Sequence, residues 1–286
     1  MNPDRIVIGV EDNICKEKMS LAYKPLTDKG FPIFFTNIET AEMIKYSSNT
    51  FLNIKIGFIN EIYDICEKTD ANLTNIVNAM GLDKKILPLF LKPGPGIVGS
   101  CFPKDSIALS RIGRKLGLDL KIITASVESN ILRKNSLGNR VINLSKGKHL
   151  GGKIVSLLGL TFKVNTDDTR YSPALNLVEE FSKKNVKAQA YDPKSIEKFR
   201  LMIDPKALSS IKFFENAYDE IKDTELIIII TEWNEFKNLD YQKVYEMVKQ
   251  KIIVDLRNIL DAQYIEKIGF KYYNIGKDLS KDENIS

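Results

Sequence analysis

Five consecutive residues, Cys101-Phe102-Pro103-Lys104-Asp105, hold the groups a covalent catalyst needs. A cysteine close behind a glycine is sterically open, and a lysine three positions on favours the attacking thiolate. The aspartate could orient a water or accept a proton. On the residues alone, a buried structural cysteine is an equal reading. The other two cysteines read as bland: Cys66 falls on an apolar helical stripe, and Cys15 lies in a charged loop without an obvious base. A second cluster is Lys45 and Asn49, at i and i+4 and hence on one helical face, with Asn53 and Asn60 extending that side. A solvated face is the competing reading. If the helix is buried, however, its lysine needs an anionic partner, and a substrate oxyanion would be one.

One histidine, His149, all but removes His-based metal sites and Ser-His-Asp triads, so no metal is expected. The chemistry must rest on Cys, Lys, Asn, Asp or Glu. Gly94-Pro95-Gly96-Ile97-Val98-Gly99 matches the spacing G-x-G-x-x-G. That motif grips a dinucleotide only between a strand and a helix N-terminus. The preceding segment carries Pro88 and Pro93, and Ser100-Cys101-Phe102-Pro103 should not open a helix directly. A flexible glycine-rich loop against another ligand is the better reading.

The elements that must position these groups follow from patterning. The chain has 286 residues, 43% hydrophobic and 28% charged, enough for two domains with real cores. Its formal charge of +5 suits an anionic small ligand and is too diffuse for nucleic acid. No apolar run has the length of a membrane span, no signal peptide is visible, and three scattered cysteines fit a reducing cytoplasm. Strands are expected at 5–9 and 32–36, then a long helix over 39–68 with Thr36 or Asn37 as cap. Its apolar positions exceed what one neighbour covers, which predicts a homodimer. Further helices are expected at 72–80, 105–117 and 119–146, the first ending at Met80-Gly81.

After Gly151-Gly152 the rhythm is β-α-β, with strands at 154–158, 186–191, 211–214, 226–231, 252–256 and 270–273, and a helix opening at Ser172-Pro173. A polar tail, Lys277–Ser286, follows. The fold class is therefore α/β: a helical central region over 37–148, then a Rossmann-like parallel-sheet domain over 149–286.

Several segments in register carry a family resemblance. Ala41–Leu52 (AEMIKYSSNTFL) resembles the central-helix signature of UDP-glucose 6-dehydrogenases, within the UDP-glucose/GDP-mannose dehydrogenase family. Gly94–Asp105 (GPGIVGSCFPKD) is similar to their catalytic-cysteine loop. Gly159-Leu160-Thr161-Phe162-Lys163 and Thr166–Pro173 resemble their C-terminal nucleotide-sugar motif, and Thr231-Glu232-Trp233 and Val254–Asn258 follow in order. The resemblance implies oxidation of UDP-glucose to UDP-glucuronate by two NAD through a cysteine thioester. Cys101 would be the nucleophile, Lys45 would stabilise the oxyanion, and Asn49 and Asp105 would orient water and move protons. Phe90, Leu91, Lys92, Pro93 and Gly94 would hold the UDP-sugar, helped by Lys163 and, across a dimer, by Arg257. Lys104 and Arg170 would reach the NAD.

The resemblance also implies that residues 1–36 are the remnant of an N-terminal NAD-binding domain, on the order of 150 residues of which would precede Met1. That domain could be supplied by a separate chain. On this expectation the chain alone binds UDP-sugar and does not reduce NAD. Three positions depart from the family pattern: Val98 and Leu256 replace glycines, and Lys85 replaces an intersubunit arginine. The alternatives are a non-catalytic UDP-sugar-binding and dimerisation module, or a dehydrogenase of GDP-mannose or a UDP-N-acetylhexosamine.

Overall fold

The computed structural model describes residues 2–99, 101–144 and 150–274. The tail Lys277–Ser286, the expected boundary between 148 and 149, and the end of the expected helix 119–146 lie outside the described residues. The chain opens with strand β1 (Ile6–Gly9), helix α1 (Asn13–Thr27) and strand β2 (Ile33–Thr36). β1 and β2 pair in parallel with Ile6 opposite Ile33, so the chain must cross over, and α1 is that crossover. Cys15, Met19, Ala22 and Leu26 recur at helical spacing along α1, yet none of its residues is buried. Cys15 therefore sits in a helical first turn rather than a loop, its N–H donating to the Asp12 cap at 2.7 Å.

Four helices follow: α2 (Ile38–Cys66), α3 (Leu73–Leu82), α4 (Cys101–Lys115) and α5 (Lys121–Leu144). Asn37 caps α2, accepting from the Thr40 N–H at 3.0 Å. Two boundaries differ from expectation. α3 runs through Gly81 because that glycine serves packing instead: a Cβ there would lie 3.0 Å from Pro88 Cβ. α4 opens at Cys101 and contains Pro103. Proline is tolerated there because first-turn N–H groups have no intrahelical acceptor.

The remainder is a six-stranded sheet: β3 (Ile154–Leu158), β4 (Lys187–Tyr191), β5 (Ile211–Phe213), β6 (Ile227–Ile229), β7 (Ile252–Asp255) and β8 (Lys271–Asn274). All neighbours are parallel, in the order β5-β4-β3-β6-β7-β8. Counted from β3, that is the doubly wound arrangement whose ligand crevice lies beyond the strand ends, between first and fourth strands. Helix α6 (Pro173–Lys183) begins at the expected Ser172-Pro173, with Ser172 Oγ accepting from the Ala174 N–H.

Side chains alternate between the two faces. Leu157, Ile228 and Val254 share one core with Ile59, Tyr63 and Cys66 of α2 and with Leu137 and Val141 of α5. Leu158, Ile227, Ile229 and Ile253 join Phe236 and Tyr272 on the other face. No helix among the described residues is long and apolar enough to cross a membrane.

The second face holds a buried acid. Glu220, in the short helix Ala217–Ile221, accepts from Ser156 Oγ at 2.6 Å and from the Leu157 N–H at 2.8 Å. Burial pushes its pKa from 4.5 up to about 8. The folded state then holds a proton the unfolded chain has lost, so stability falls as pH rises from about 4.5 to about 8. Glu220→Gln can keep both contacts without a charge. Urea denaturation of the variant is expected to be flatter over this pH interval, its midpoint overtaking the wild type toward pH 8; parallel curves would refute a neutral Glu220.

Candidate active site

Crossing of α2 and α4 joins two of the expected catalytic residues. Asn49 Nδ2 donates to Asp105 Oδ2 at 2.5 Å, and the Asp105 side chain is buried. Lys104 Nζ lies 3.8 Å from the same carboxylate, its side chain 67% exposed. Because α4 starts at Cys101, that cysteine stands one i,i+4 step before Asp105, exposed at the positive end of the helix. Lys45 stands one turn before Asn49, but it is exposed, so the premise of a buried lysine is corrected. The polar stripe becomes buried only from Thr50 onward, where α5 covers α2. There Asn53 donates to Ser126 Oγ at 2.9 Å, and Asn60 Oδ1 accepts from the Gly94 N–H at 2.9 Å.

That last bond anchors the glycine-rich loop, which is not a flexible element. Pro95, Gly96 and Ile97 are buried, Arg133 Nε donates to the Gly94 carbonyl at 3.0 Å, and Asn130 Oδ1 accepts from the Ile97 N–H at 2.7 Å. Gly96 has φ +117°, and a Cβ there would meet Lys134 Cγ at 2.9 Å. Among the described residues 86–99 no strand leads in, so the G-x-G-x-x-G spacing lacks its dinucleotide context. The segment before it is held by Lys55, whose ammonium donates to the carbonyls of Ile86, Leu87 and Leu89 at 2.7, 3.0 and 2.7 Å. Leu87 and Phe90 occupy left-handed backbone at φ +61° and +65°. Phe90 is partly exposed and meets Phe102 edge-on at 5.8 Å. Lys92 is exposed and Pro93 half-buried, whereas the Leu91 side chain is buried in the core and offers a ligand only its backbone.

The crevice at the sheet's carboxyl edge supplies the opposite wall. Buried Asp192, after β4, accepts from the N–H groups of Leu160 and Thr161 and from Trp233 Nε1 at 2.8, 3.2 and 3.2 Å. Thr231 Oγ1 donates to the Thr161 carbonyl at 2.6 Å. These bonds fix the loop that presents Phe162 and Lys163. Gly99, at φ +88°, packs so closely on Phe162 that a Cβ would sit 2.8 Å from its ring. Arg257 donates to the carbonyls of Phe162 and Ile230, both at 2.7 Å, and pairs with Glu232 at 3.2 Å. Burial pulls the Arg257 pKa down while Glu232 and Asp255 oppose it. Lys163 is exposed, its ammonium 5.4 Å from the Phe162 ring centre.

Arg170 forks onto Asp168 at 3.0 and 2.8 Å, and that contact holds the aspartate below its usual range. The same guanidinium is within electrostatic reach of Cys101. The structure therefore brings Asn49, Lys104 and Asp105 together, with Cys101 and Arg170 adjacent, and joins Gly99 to Arg257 through Phe162. Sequence reasoning missed Lys55, Asn130, Arg133 and Asp192, which act on backbone groups of segments remote in the chain. Only Lys55 left a trace, as a cation inside an apolar helical run.

Comparison with known proteins gives the same picture. Residues 39–131 match the central domain of the UDP-glucose/GDP-mannose dehydrogenase family, and residues 156–262 match that family's UDP binding domain. A UDP-glucose 6-dehydrogenase of Rickettsia typhi is 40% identical over 277 residues, 97% of this chain and 63% of that protein. One from Rhizobium meliloti is 40% identical over 96% of this chain and 62% of its own length. The chain thus spans less than two thirds of these relatives. A UDP-glucose dehydrogenase structure from Pyrobaculum islandicum superposes with a TM-score of 0.82 at 30% identity, covering 96% of this chain and 59% of that one. With both matched domains in order along one chain, the protein belongs to the UDP-glucose/GDP-mannose dehydrogenase family.

Proposed function

We propose that this protein serves as a UDP-glucose 6-dehydrogenase, oxidising the C6 alcohol of UDP-glucose to a carboxylate through a thioester on Cys101. The observation that carries the reading is the Gly99–Phe162 contact, which closes the cysteine loop against the loop of the UDP binding domain. The UDP-sugar would lie along Phe90, Leu91, Lys92, Pro93 and Gly94, with the Lys163 ammonium on its diphosphate and Arg257 fixing the loop beneath. NAD is the cofactor this chemistry requires, and the exposed cations Lys104 and Arg170, beside Cys101, are a donor set that fits its pyrophosphate. Bound there, NAD supplies the two-electron acceptor for each oxidation.

The residues then divide the work. Cys101 Sγ adds to C6 of the aldehyde, giving a thiohemiacetal whose oxyanion Lys45 stabilises. Loss of two further electrons and a proton leaves the thioester. Asp105, oriented by Asn49, takes a proton from the water that attacks it; the acid leaves and the thiol is restored. Support for the sugar comes from the relatives named UDP-glucose 6-dehydrogenase. Support for a homodimer comes from Phe51, Phe58 and Ile65, exposed at seven-residue spacing along α2. Three scattered cysteines suit a reducing cytoplasm.

Three measurements test this. Calorimetric titration with UDP-glucose should show binding that Lys163→Met weakens by roughly tenfold or more, the worth of a charged hydrogen bond, with Cys101→Ser binding normally. In an assay of UDP-glucose-dependent NADH formation the chain by itself is expected to give no turnover, whereas mixing it with a separately expressed N-terminal NAD-binding domain restores some and Cys101→Ser abolishes it; sustained NADH formation by the chain alone would overturn this placement of the cofactor. In sedimentation, Phe58→Glu should shift the protein from dimer to monomer at micromolar concentration; an unshifted dimer would place the interface elsewhere.

A further inference from the structure

Helices α5 and α6 touch closely at Gly138, where a Cβ would come 2.7 Å from Glu180 Cβ. One turn earlier on α5 they part around a cavity of about 550 Å³, which α4 closes on a third side. That volume lies in the range of small-molecule sites. Its walls are mostly apolar, with Pro103 and Ile107 from α4, Val127 and Ile131 from α5 and Leu175 from α6.

Two buried polar groups in this lining lack partners. Lys134 is 9% exposed and makes no hydrogen bond or ion pair among the described residues; its ammonium only overlies the Tyr171 ring at 5.5 Å. Asn53, 1% exposed, gives its amide hydrogen to Ser126 and leaves Oδ1 without a donor. Burial pulls the lysine down to about 8, so it still carries its proton at neutral pH. A desolvated cation and an orphaned acceptor each cost stability unless something pairs with them. Tyr171, which covers the lysine, is itself held in left-handed backbone at φ +59°, a conformation tyrosine rarely adopts.

We propose that this cavity is a second binding site, taking a small monocarboxylate with an apolar ring and a distal hydroxyl or N–H donor. The carboxylate pairs with Lys134, the ring fills the space between α4 and α6, and the donor reaches Asn53 Oδ1. A single charge is the matched one. Arg170 at the rim forks onto Asp168 and belongs to the proposed NAD contacts, and Glu179, exposed on the same lining, would repel a dianion more than a monoanion. The length also fits. Ser126, which marks the Asn53 position on α5, and Lys134 lie about 12 Å apart along the helix, a span that the lysine side chain shortens to roughly a ring plus its substituents. None of the expected UDP-sugar contacts lines this cavity, and of the expected NAD contacts only Arg170 reaches its rim.

The test uses the full chain and 4-hydroxyphenylacetate. Calorimetry should show saturable binding at millimolar concentration or below, with the neutral analogue 4-(2-hydroxyethyl)phenol and inorganic phosphate each binding roughly tenfold more weakly or not at all. Lys134→Met keeps the apolar stem and removes the charge, and should bring acid and alcohol to equal affinity. Equal affinity in the wild type, an unaffected variant, or displacement by UDP-glucose would overturn the proposal. Should the variant not fold, carbon-13 dimethyl labelling of the wild-type lysines decides: the Lys134 resonance must move on titration with the acid, and a stationary signal refutes the site.

Discussion

Side chains of α2 and α5 carry the backbone of residues 86–99, and the candidate site depends on that support. A segment without regular structure leaves its N–H and C=O groups to be satisfied individually, and burial makes each omission expensive. Here Lys55 takes three carbonyls, Asn60 and Arg133 hold the two sides of Gly94, and Asn130 receives Ile97. Those bonds also sustain left-handed backbone at Leu87 and Phe90, which neither residue favours. The loop's shape is thus encoded in two helices rather than in the loop, and Cys101 inherits its place from them.

Phe162 does the corresponding work between the two matched regions. Its ring stops Gly99 and its carbonyl receives Arg257, so three segments far apart in sequence meet on one residue. The surrounding carboxylates are spent on architecture. Asp192 and Asp255 each gather backbone N–H groups from loops at the sheet's edge, with Asp255 also taking the Tyr272 hydroxyl at 2.8 Å. Cationic groups remain to face a ligand, which is the polarity a nucleoside diphosphate requires.

How far the sequence disclosed this depended on the range of the interaction involved. The sheet strands were legible because buried parallel strands are continuous apolar runs, and Ser172-Pro173 announced α6 through purely local chemistry. The start of α4 was misplaced because proline was weighed as a helix breaker, although its cost vanishes in the first turn. Helix α1 was overlooked although Cys15, Met19, Ala22 and Leu26 stand at helical spacing, because the charges between them and Pro25 read as a loop. Lys45 and Asn49 were correctly read as sharing a face; their different burial was not legible, since it depends on how much of α2 its neighbours cover. Asn130, Arg133 and Asp192 could not be assigned, because each acts on a segment at least 31 residues away, and spacing carries no record of such pairings.

The core that runs without a break from Ile59 and Tyr63 through Leu137 and Val141 to Leu157 and Val254 has a consequence for how the molecule comes apart. Two family domains are recognisable along the chain, and the sheet keeps a core of its own on its far face, but its near face shares one interior with α2 and α5. Loosening the sheet exposes α2 and α5, and loosening those helices uncovers the sheet. The helices and the near face of the sheet are therefore expected to unfold together, with the far-face core keeping its own protection. Residues 6–36, joined to this core chiefly by β1 against α2 and containing a helix with no buried residue, form the outlying foldon that opens first.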